Sequence, residues 1–144
     1  MSKPEIKAAQ IAVSRDVAEK DLERWLNYKR IGVTKRENMR DNIDILVDAV
    51  QDGQLVVEEN CSITQKLAWP PENEDGEVKI TSLSYVPRMH FSQIQPKLKG
   101  IKPGDTETRL LGYAAALSSQ PIGILRKLDT VDLAVMQAVA VFFL

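Results

Sequence analysis

The stretch LDTVDLAVMQAVAVFFL, residues 128–144, sets the main constraint on the fold of this 144-residue chain. Its last twelve residues contain a single polar side chain, that of Gln137. The run is too short to cross a bilayer, because a membrane-spanning helix needs about 20 apolar residues. A helix that is apolar on every side has to be covered on every side. We therefore predict that this stretch is enclosed by its own domain or by another protein chain.

This stretch begins with residues typical of a helix start, and the predicted helix has two faces. Asp129 or Thr130 is suited to cap the helix, and Asp132 places a carboxylate in the first turn, where the helix dipole favours it. At 3.6 residues per turn, one side carries the residues that we assign to the internal core: Leu128, Val131, Val135, Ala138 and Phe142. The other side carries those that we assign to a partner-binding surface: Leu133, Met136, Ala140, Phe143 and Leu144.

Composition narrows the class of protein. The 19 basic and 20 acidic residues give a net charge of −1, whereas a general nucleic-acid binder shows a basic excess. Cys61 is the single cysteine, so the chain has no internal disulfide and fits a reducing compartment. The first sixteen residues lack the apolar core of a signal peptide. We expect a cytoplasmic protein that does not enter the membrane.

Two helices are predicted in the first part of the chain. The first runs from Pro4 to about Lys29, and a break at residues 14–16 would restart it with an Asp16-x-x-Glu19 cap. After the turn at residues 30–33, the T-x-x-E capping box that begins at Thr34 opens a second helix. This helix is expected to reach about residue 50 and to end at a glycine, residue 53.

The period of the apolar residues then changes from helical to alternating. QLVVEENCSITQKLAW, residues 54–69, indicates a short strand, a turn at Glu59–Asn60 and a longer strand. We predict that one face of the longer strand carries Cys61, Ile63, Leu67 and Trp69. EVKITSLSYVPR, residues 77–88, predicts a third strand with Val78 and Ile80 facing inward and a bulge near Ser82. Together they form a small antiparallel meander with one buried face.

Helices resume after the meander. Ser92 can cap a short helix that a glycine at residue 100 ends, and Asp105 can cap a longer one over residues 106–118. Pro121 begins a short helical turn before the last helix. The predicted fold class is α+β and mostly helical, with an N-terminal helix pair, an antiparallel meander and a C-terminal helical bundle. We divide it into a helical arm or module, residues 1–53, and a second domain, residues 54–144.

Catalytic chemistry has few candidates. Cys61 and His90 would have to lie within hydrogen-bonding reach to act as nucleophile and base. Cys61 falls on the predicted inner face of a strand, where a free cysteine usually acts as a small apolar residue. The sequence contains neither a cluster of zinc ligands nor a Gly-rich phosphate loop. We expect no enzyme, no cofactor and no metal site.

The acidic stretch PPENEDGE, residues 70–77, has two interpretations. Its carboxylates can bind a hard cation, or they can form the solvated tip of a hairpin with an Asp-Gly turn. The stretch lacks the alternating ligands and the distal glutamate of an EF-hand loop. We favour the hairpin tip.

The corner between the first two helices, KRIGVTKRENMR, residues 29–40, also has two interpretations. Its cations can meet DNA phosphates as in a helix-turn-helix protein: Lys29, Arg30, Lys35, Arg36 and Arg40. Alternatively it is an exposed corner balanced by nearby acids: Glu37, Asp41, Asp44 and Asp48. We favour the exposed corner.

Residues 63–144 carry a series of motifs in a characteristic order. A strand pair leads to the junction LSYVPR, residues 83–88, and then to a helix rich in small residues, residues 106–118. The turn SSQPIG, the Leu128-Asp129-x-x-Asp132 cap and the aromatic end follow. This order resembles the small tail assembly chaperones of long-tailed phages, of the Mu-like and P2-like kind. The junction is one residue tighter than the family's L-x-x-x-x-P-R, and residues 1–60 lie outside the match.

The resemblance implies a non-catalytic function. Proteins of this family coat the tape measure protein, a long helical chain that is prone to aggregate, and keep it soluble until tail tube subunits polymerise around it. A ribosomal frameshift often makes a longer minor form that recruits the tail tube protein. The resemblance therefore implies a tape measure partner and a location in the host cytoplasm outside the mature virion. The last helix would then be covered by its own domain, by the target or by a neighbouring copy, and the last of these alternatives would make the protein a homo-oligomer.

Two other functions remain open at this point. A structural tail subunit, such as a connector or tube component, would share the phage context but persist in the finished particle. A small helix-turn-helix regulator would bind duplex DNA with strong salt dependence, which the near-zero net charge does not favour.

Overall fold

The computed structural model describes residues 12–144, which form a mostly helical α+β protein with a small antiparallel sheet. In chain order the helices are α1 (Arg15–Tyr28), α2 (Val33–Asn38), α3 (Arg40–Gln51), α4 (Phe91–Ile94), α5 (Thr106–Ser118), α6 (Ile122–Leu125) and α7 (Thr130–Ala140). The strands are β1 (Leu55–Val57), β2 (Ile63–Lys66) and β3 (Ser82–Tyr85). Short 3-10 turns, Gln95–Leu98 and Val141–Phe143, follow α4 and α7. The predicted fold class is confirmed.

Helix α1 begins at the predicted break, but with a different cap. The Ser14 hydroxyl accepts a hydrogen bond from the backbone N–H of Val17, at 3.3 Å, and this satisfies one of the free donors of the first turn. The cap predicted at Asp16 is therefore wrong, since Asp16 lies inside the helix. The part of the first helix that was predicted over residues 4–11 lies outside the described residues.

The second predicted helix is two helices. α2 starts after Gly32, without a side-chain cap, so the predicted Thr34 capping box is wrong. Met39 leaves the helical conformation, with φ −111° and ψ 25°, and separates α2 from α3. The predicted stop is confirmed, because α3 ends at Gln51 and Gly53 adopts φ +80°, a conformation that favours glycine.

The sheet is an antiparallel meander in the order β1-β2-β3, as predicted. Its register places Gln65 of β2 opposite Leu55 on one side and Leu83 on the other. Successive side chains of a strand point to opposite faces of the sheet, and one face is buried. Ile63 and Tyr85 are paired on this buried face.

The third strand is shorter than predicted. It begins only at Ser82, and the inward positions are Leu83 and Tyr85. Val78, predicted to face inward, is exposed and belongs to an isolated bridge with Glu72. The residues before Ser82 therefore form the base of a hairpin tip rather than a buried strand.

The C-terminal helices follow their predicted caps. Asp105 accepts from the backbone N–H of Thr108 at 3.2 Å, and Asp129 accepts from that of Val131 at 2.9 Å. The exception is the short helix α4, which begins after His90, so the cap predicted at Ser92 is wrong. In α5, a Cβ on Gly112 would approach the carbonyl oxygen of Lys97 to 3.0 Å, so this close packing requires glycine.

One hydrophobic cluster joins the sheet and the helices other than α2. α7 packs against α5 on one side and α3 on another, and α1 packs against α3 and β1. Trp25 of α1 meets Phe142 edge-on, with ring centroids 5.5 Å apart. The parts on either side of residue 53 thus share a core in the described structure.

Candidate interaction surfaces

Cys61 and His90 do not form a reactive pair in the described residues. Cys61 is buried in the β1–β2 turn with φ +65°, not on the strand where it was predicted, and its sulfur lies 3.6 Å from the Arg24 guanidinium. Arg24 also donates to the carbonyl oxygens of Val57 and Glu58, at 3.0 and 2.8 Å. His90 is exposed, and its backbone N–H bonds to Gln93 at the start of α4. The surroundings of Cys61 are those of a packed turn.

We expect the Cys61 thiol to be protected in the native protein. Because its side chain is buried, a thiol reagent reaches it only when the structure opens. Labelling with a maleimide should be slow in buffer and fast in denaturant. Rapid labelling of the native protein would contradict this packing.

The acidic stretch forms a closed hairpin tip. The Asn73 side chain accepts from the backbone N–H groups of Asp75 and Glu77, both at 2.9 Å, and Glu77 pairs with Lys79 at 2.8 Å. Among residues 12–144 no group of three or more histidine, cysteine or acidic side chains is arranged to hold a metal ion. The tip, residues 72–77, instead projects acidic side chains into solvent.

The basic helix corner is partly used by the fold itself. Arg36 donates to the carbonyl oxygen of Ile31 at 2.8 Å and to the amide oxygen of Asn27 at 2.7 Å. These bonds tie α2 to the end of α1. Arg15, at the start of α1, pairs with Glu19 and with Asp48 of α3.

In the part of the chain that the structure describes, no helix has the length and apolar character of a membrane span.

Trp69 is the most exposed large aromatic side chain of the described chain, at 60% of its surface. The prediction that it faces inward with Ile63 and Leu67 is wrong. Asp132 explains the change: its two carboxylate oxygens accept the backbone N–H groups of Ala68 and Trp69, each at 2.9 Å. These bonds turn the chain out of the sheet at the end of β2 and fix the backbone from which Trp69 projects.

A buried polar network supports the same region. Asp132 is 1% exposed, and its backbone carbonyl accepts from the Gln65 amide at 3.0 Å. The Tyr85 hydroxyl donates to the Gln65 amide oxygen at 2.6 Å. Burial, and secondarily the Asp132 charge, raise the pKa of Tyr85 far above its ordinary value, so the phenol stays a donor. The network joins α7 to Gln65 of β2 and, through Gln65, to Tyr85 of β3. The sequence indicated only one part of it, an aspartate at residue 132 in the first turn of a helix.

We name Trp69 and Val131 the Trp69 surface. Val131 precedes Asp132 in α7 and is half exposed, contrary to its predicted place in the core. The backbone of Trp69 is bonded to Asp132, so the two apolar side chains belong to adjoining segments. An exposed tryptophan on a fixed backbone is typical of a protein-binding surface.

The residues predicted to bind a partner lie in three different environments. Met136 and Ala140 are completely buried, so they contact a partner only if α7 leaves the core. Leu133 and Phe143 are half-buried against the core, and Leu144 is exposed. Phe142 is 3% exposed, in agreement with its predicted core position. Of the five predicted partner residues, only Leu144 is exposed, and Leu133 and Phe143 are partly accessible.

Phe143 forms part of a cleft that combines cations with aromatic rings. The Lys29 ammonium lies 3.1 Å from the Phe143 ring centroid and 5.6 Å from that of Trp25. Arg88 lines the same cleft, with its guanidinium carbon 6.0 Å from the Tyr28 ring centroid. Burial, helped by the charges of Lys35 and Arg88, lowers the pKa of Lys29 to about 8. We call Lys29, Arg88, Met89, Phe142 and Phe143 the cationic cleft.

The lowered pKa of Lys29 predicts a dependence of stability on pH. Folding disfavours the charged ammonium, so this cost is constant below pH 8 and disappears as the pH rises from about 8 towards 10.5. Replacing Lys29 by methionine should increase the free energy of unfolding at pH 7 by about 1 kcal/mol, with no gain at pH 10.5. This increase is smaller than the pKa shift alone implies, because Lys29 is partly exposed and solvent screens its charge. Chemical denaturation of both proteins over this range measures the difference. A variant less stable than the wild type at pH 7 would show that the ring contacts outweigh desolvation.

Comparison of the chain with protein-family models, with curated proteins and with solved structures finds no match.

Proposed function

We propose that this protein is a non-catalytic tail assembly chaperone of a phage or prophage, which binds the tape measure protein and keeps it soluble until the tail tube polymerises around it. Two things support the proposal. The motif order over residues 63–144 resembles that family, and the Trp69 surface gives a folded α+β domain an exposed aromatic anchor.

The fixed exposure of Trp69 is the observation that carries the proposal. A tryptophan buries a large apolar area on binding, and aromatic side chains dominate the energetics of protein interfaces. The Asp132 carboxylate holds the backbone of Trp69 before any partner arrives, so little order has to be created on binding. An amphipathic helix of the tape measure protein offers the apolar face that such an anchor requires.

A small contact area suits a chaperone that must later be displaced. Each copy binds weakly, and many copies along a long target together keep its apolar faces covered. Tube subunits then remove the copies one at a time. On this proposal the protein acts in the host cytoplasm and is absent from the mature virion, and a frameshifted longer form, where one is made, contacts the tail tube protein.

The test is a binding measurement with a matched aromatic control. The protein is co-expressed with the tape measure protein of the same phage or prophage, and co-purification is quantified. Trp69→Ala should reduce the co-purified tape measure protein at least tenfold. Phe91→Ala removes a comparably exposed aromatic side chain, at 57% exposure, from α4 and should have little effect.

Either of two outcomes would contradict the proposed function. Absence of co-purification with the wild-type protein would exclude tape measure binding. Equal losses from both variants would exclude Trp69 as the specific anchor. Composition of purified virions separates a chaperone from a structural tail subunit, because only the structural subunit is present in finished particles.

A further inference from the structure

Two surfaces of opposite charge lie at opposite ends of α7. Asp132, in the first turn of α7, is bonded to Ala68 and Trp69, from which the chain continues to the acidic tip. Phe142 and Phe143, directly after α7, line the cationic cleft. Eleven residues of helical backbone rise by about 16 Å, so the two ends are well separated.

The cationic cleft has no acidic partner within its own described chain. Neither Lys29 nor Arg88 forms an ion pair inside residues 12–144. The groups that act on Lys29 are both cations, Lys35 and Arg88. A carboxylate entering the cleft would relieve this repulsion and would be bordered by the Phe143 ring.

The acidic tip has the complementary properties. Glu72, Glu74 and Asp75 are exposed and form no ion pair within the described residues, whereas Glu77 is neutralised by Lys79. The Asn73 hydrogen bonds fix the turn, so its carboxylates are presented with little loss of conformational entropy on binding.

We propose that the acidic tip of one copy docks in the cationic cleft of a second copy. The two surfaces differ, so a single tip-to-cleft contact is heterologous and extends into a head-to-tail row or closes into a ring, whereas two reciprocal contacts close a two-fold dimer. The occupant is a second copy rather than nucleic acid, since the cleft is a small site flanked by apolar rings on a chain of net charge −1. This goes beyond the proposed function, because it concerns the protein by itself.

The contact is expected to be weak and sensitive to salt. A few partly exposed ion pairs contribute little each, so a dissociation constant of about 0.1–1 mM is expected at low ionic strength. Screening shortens the reach of these charges as salt is added. Neighbouring copies on one long target would be held at high local concentration, where so weak a contact becomes effective.

Sedimentation equilibrium of the full chain tests the proposal with charge reversals. At pH 7 in 20 mM NaCl, the average mass of the wild-type protein should rise between 0.02 and 1 mM, and 300 mM NaCl should suppress the rise. Lys29→Glu/Arg88→Glu and Glu74→Lys/Asp75→Lys should each weaken self-association at least tenfold. Reversal of two exposed lysines elsewhere, Lys20→Glu/Lys66→Glu, is the matched control and should weaken it much less.

The mixture of the two reversed proteins is the decisive sample. In this mixture the basic tip of the tip variant meets the acidic cleft of the cleft variant. The native acidic tip of the cleft variant meets the native cationic cleft of the tip variant. Both contacts pair opposite charges, so association should return. A monomeric wild-type protein at 1 mM, or association that both reversals leave unchanged, would overturn the proposal. A mixture that stays monomeric would also overturn it. The tip variant alters only exposed residues, so it still tests the proposal if the cleft variant folds poorly.

Discussion

Replacing Phe142 by alanine is expected to lower the free energy of unfolding by about 3–5 kcal/mol. The Phe142 ring is buried and meets Trp25 edge-on, at a centroid distance of 5.5 Å and an interplanar angle of 84°. Truncation therefore removes a large apolar group from the core, leaves a cavity and breaks a favourable aromatic pair. Since domains of this size are stable by about 5–15 kcal/mol, the variant should be close to unfolding in mild denaturant.

Phe143→Ala is the matched control for this prediction. The Phe143 ring is half-buried, lies 6.2 Å from the Trp25 ring and carries the Lys29 ammonium above its face. Its removal should cost about 1–2 kcal/mol, because less apolar surface is buried. Urea denaturation of both variants measures the difference. Equal losses would show that the 3-10 turn after α7 is packed as tightly at Phe143 as at Phe142.

Replacing Asp132 by alanine is expected to lower the free energy of unfolding by about 3 kcal/mol or more. Two backbone N–H groups, those of Ala68 and Trp69, lose a carboxylate acceptor that is itself buried. The N-terminal end of α7 also loses a first-turn carboxylate. Asp132→Asn preserves shape and one acceptor oxygen, so it should cost roughly half as much.

The position of Trp69 gives this prediction a second readout. Its indole fluorescence should shift and its backbone amide exchange with solvent should speed up in Asp132→Ala, while the amides of α5 stay protected. A stable variant with unchanged Trp69 amide exchange would mean that Asp132 does not fix the end of β2.

Local signals were sufficient for some of the helix ends. Asp105 and Asp129 accept hydrogen bonds from backbone N–H groups two or three residues later, and the glycine after α3 tolerates positive φ. These helix ends depend only on residues that are close in sequence, so the sequence predicts them. The break at Met39 could not be predicted in this way. It accompanies the two hydrogen bonds that tie Arg36 to the end of α1, contacts that an apolar repeat does not report.

The candidate surface was less predictable because a distant residue creates it. Alternation from Ile63 onward predicts that Trp69 faces inward, and this fails where Asp132, 64 residues after Ala68, captures the backbone. The sequence also did not show whether α7 is covered by its own chain or by a partner. An all-apolar helix requires cover, and only the packing of α3 and α5 against it shows that its own chain covers Met136 and Ala140.

The solubility of the tape measure protein tests the proposed function most directly. The tape measure protein is expressed alone, with the wild-type protein and with Trp69→Ala, and its fraction in the supernatant after centrifugation is measured. A chaperone that acts through Trp69 predicts an insoluble chain alone, a mostly soluble chain with the wild-type protein, and a return to the pellet with the variant. A tape measure protein whose solubility is the same in all three samples would contradict the account.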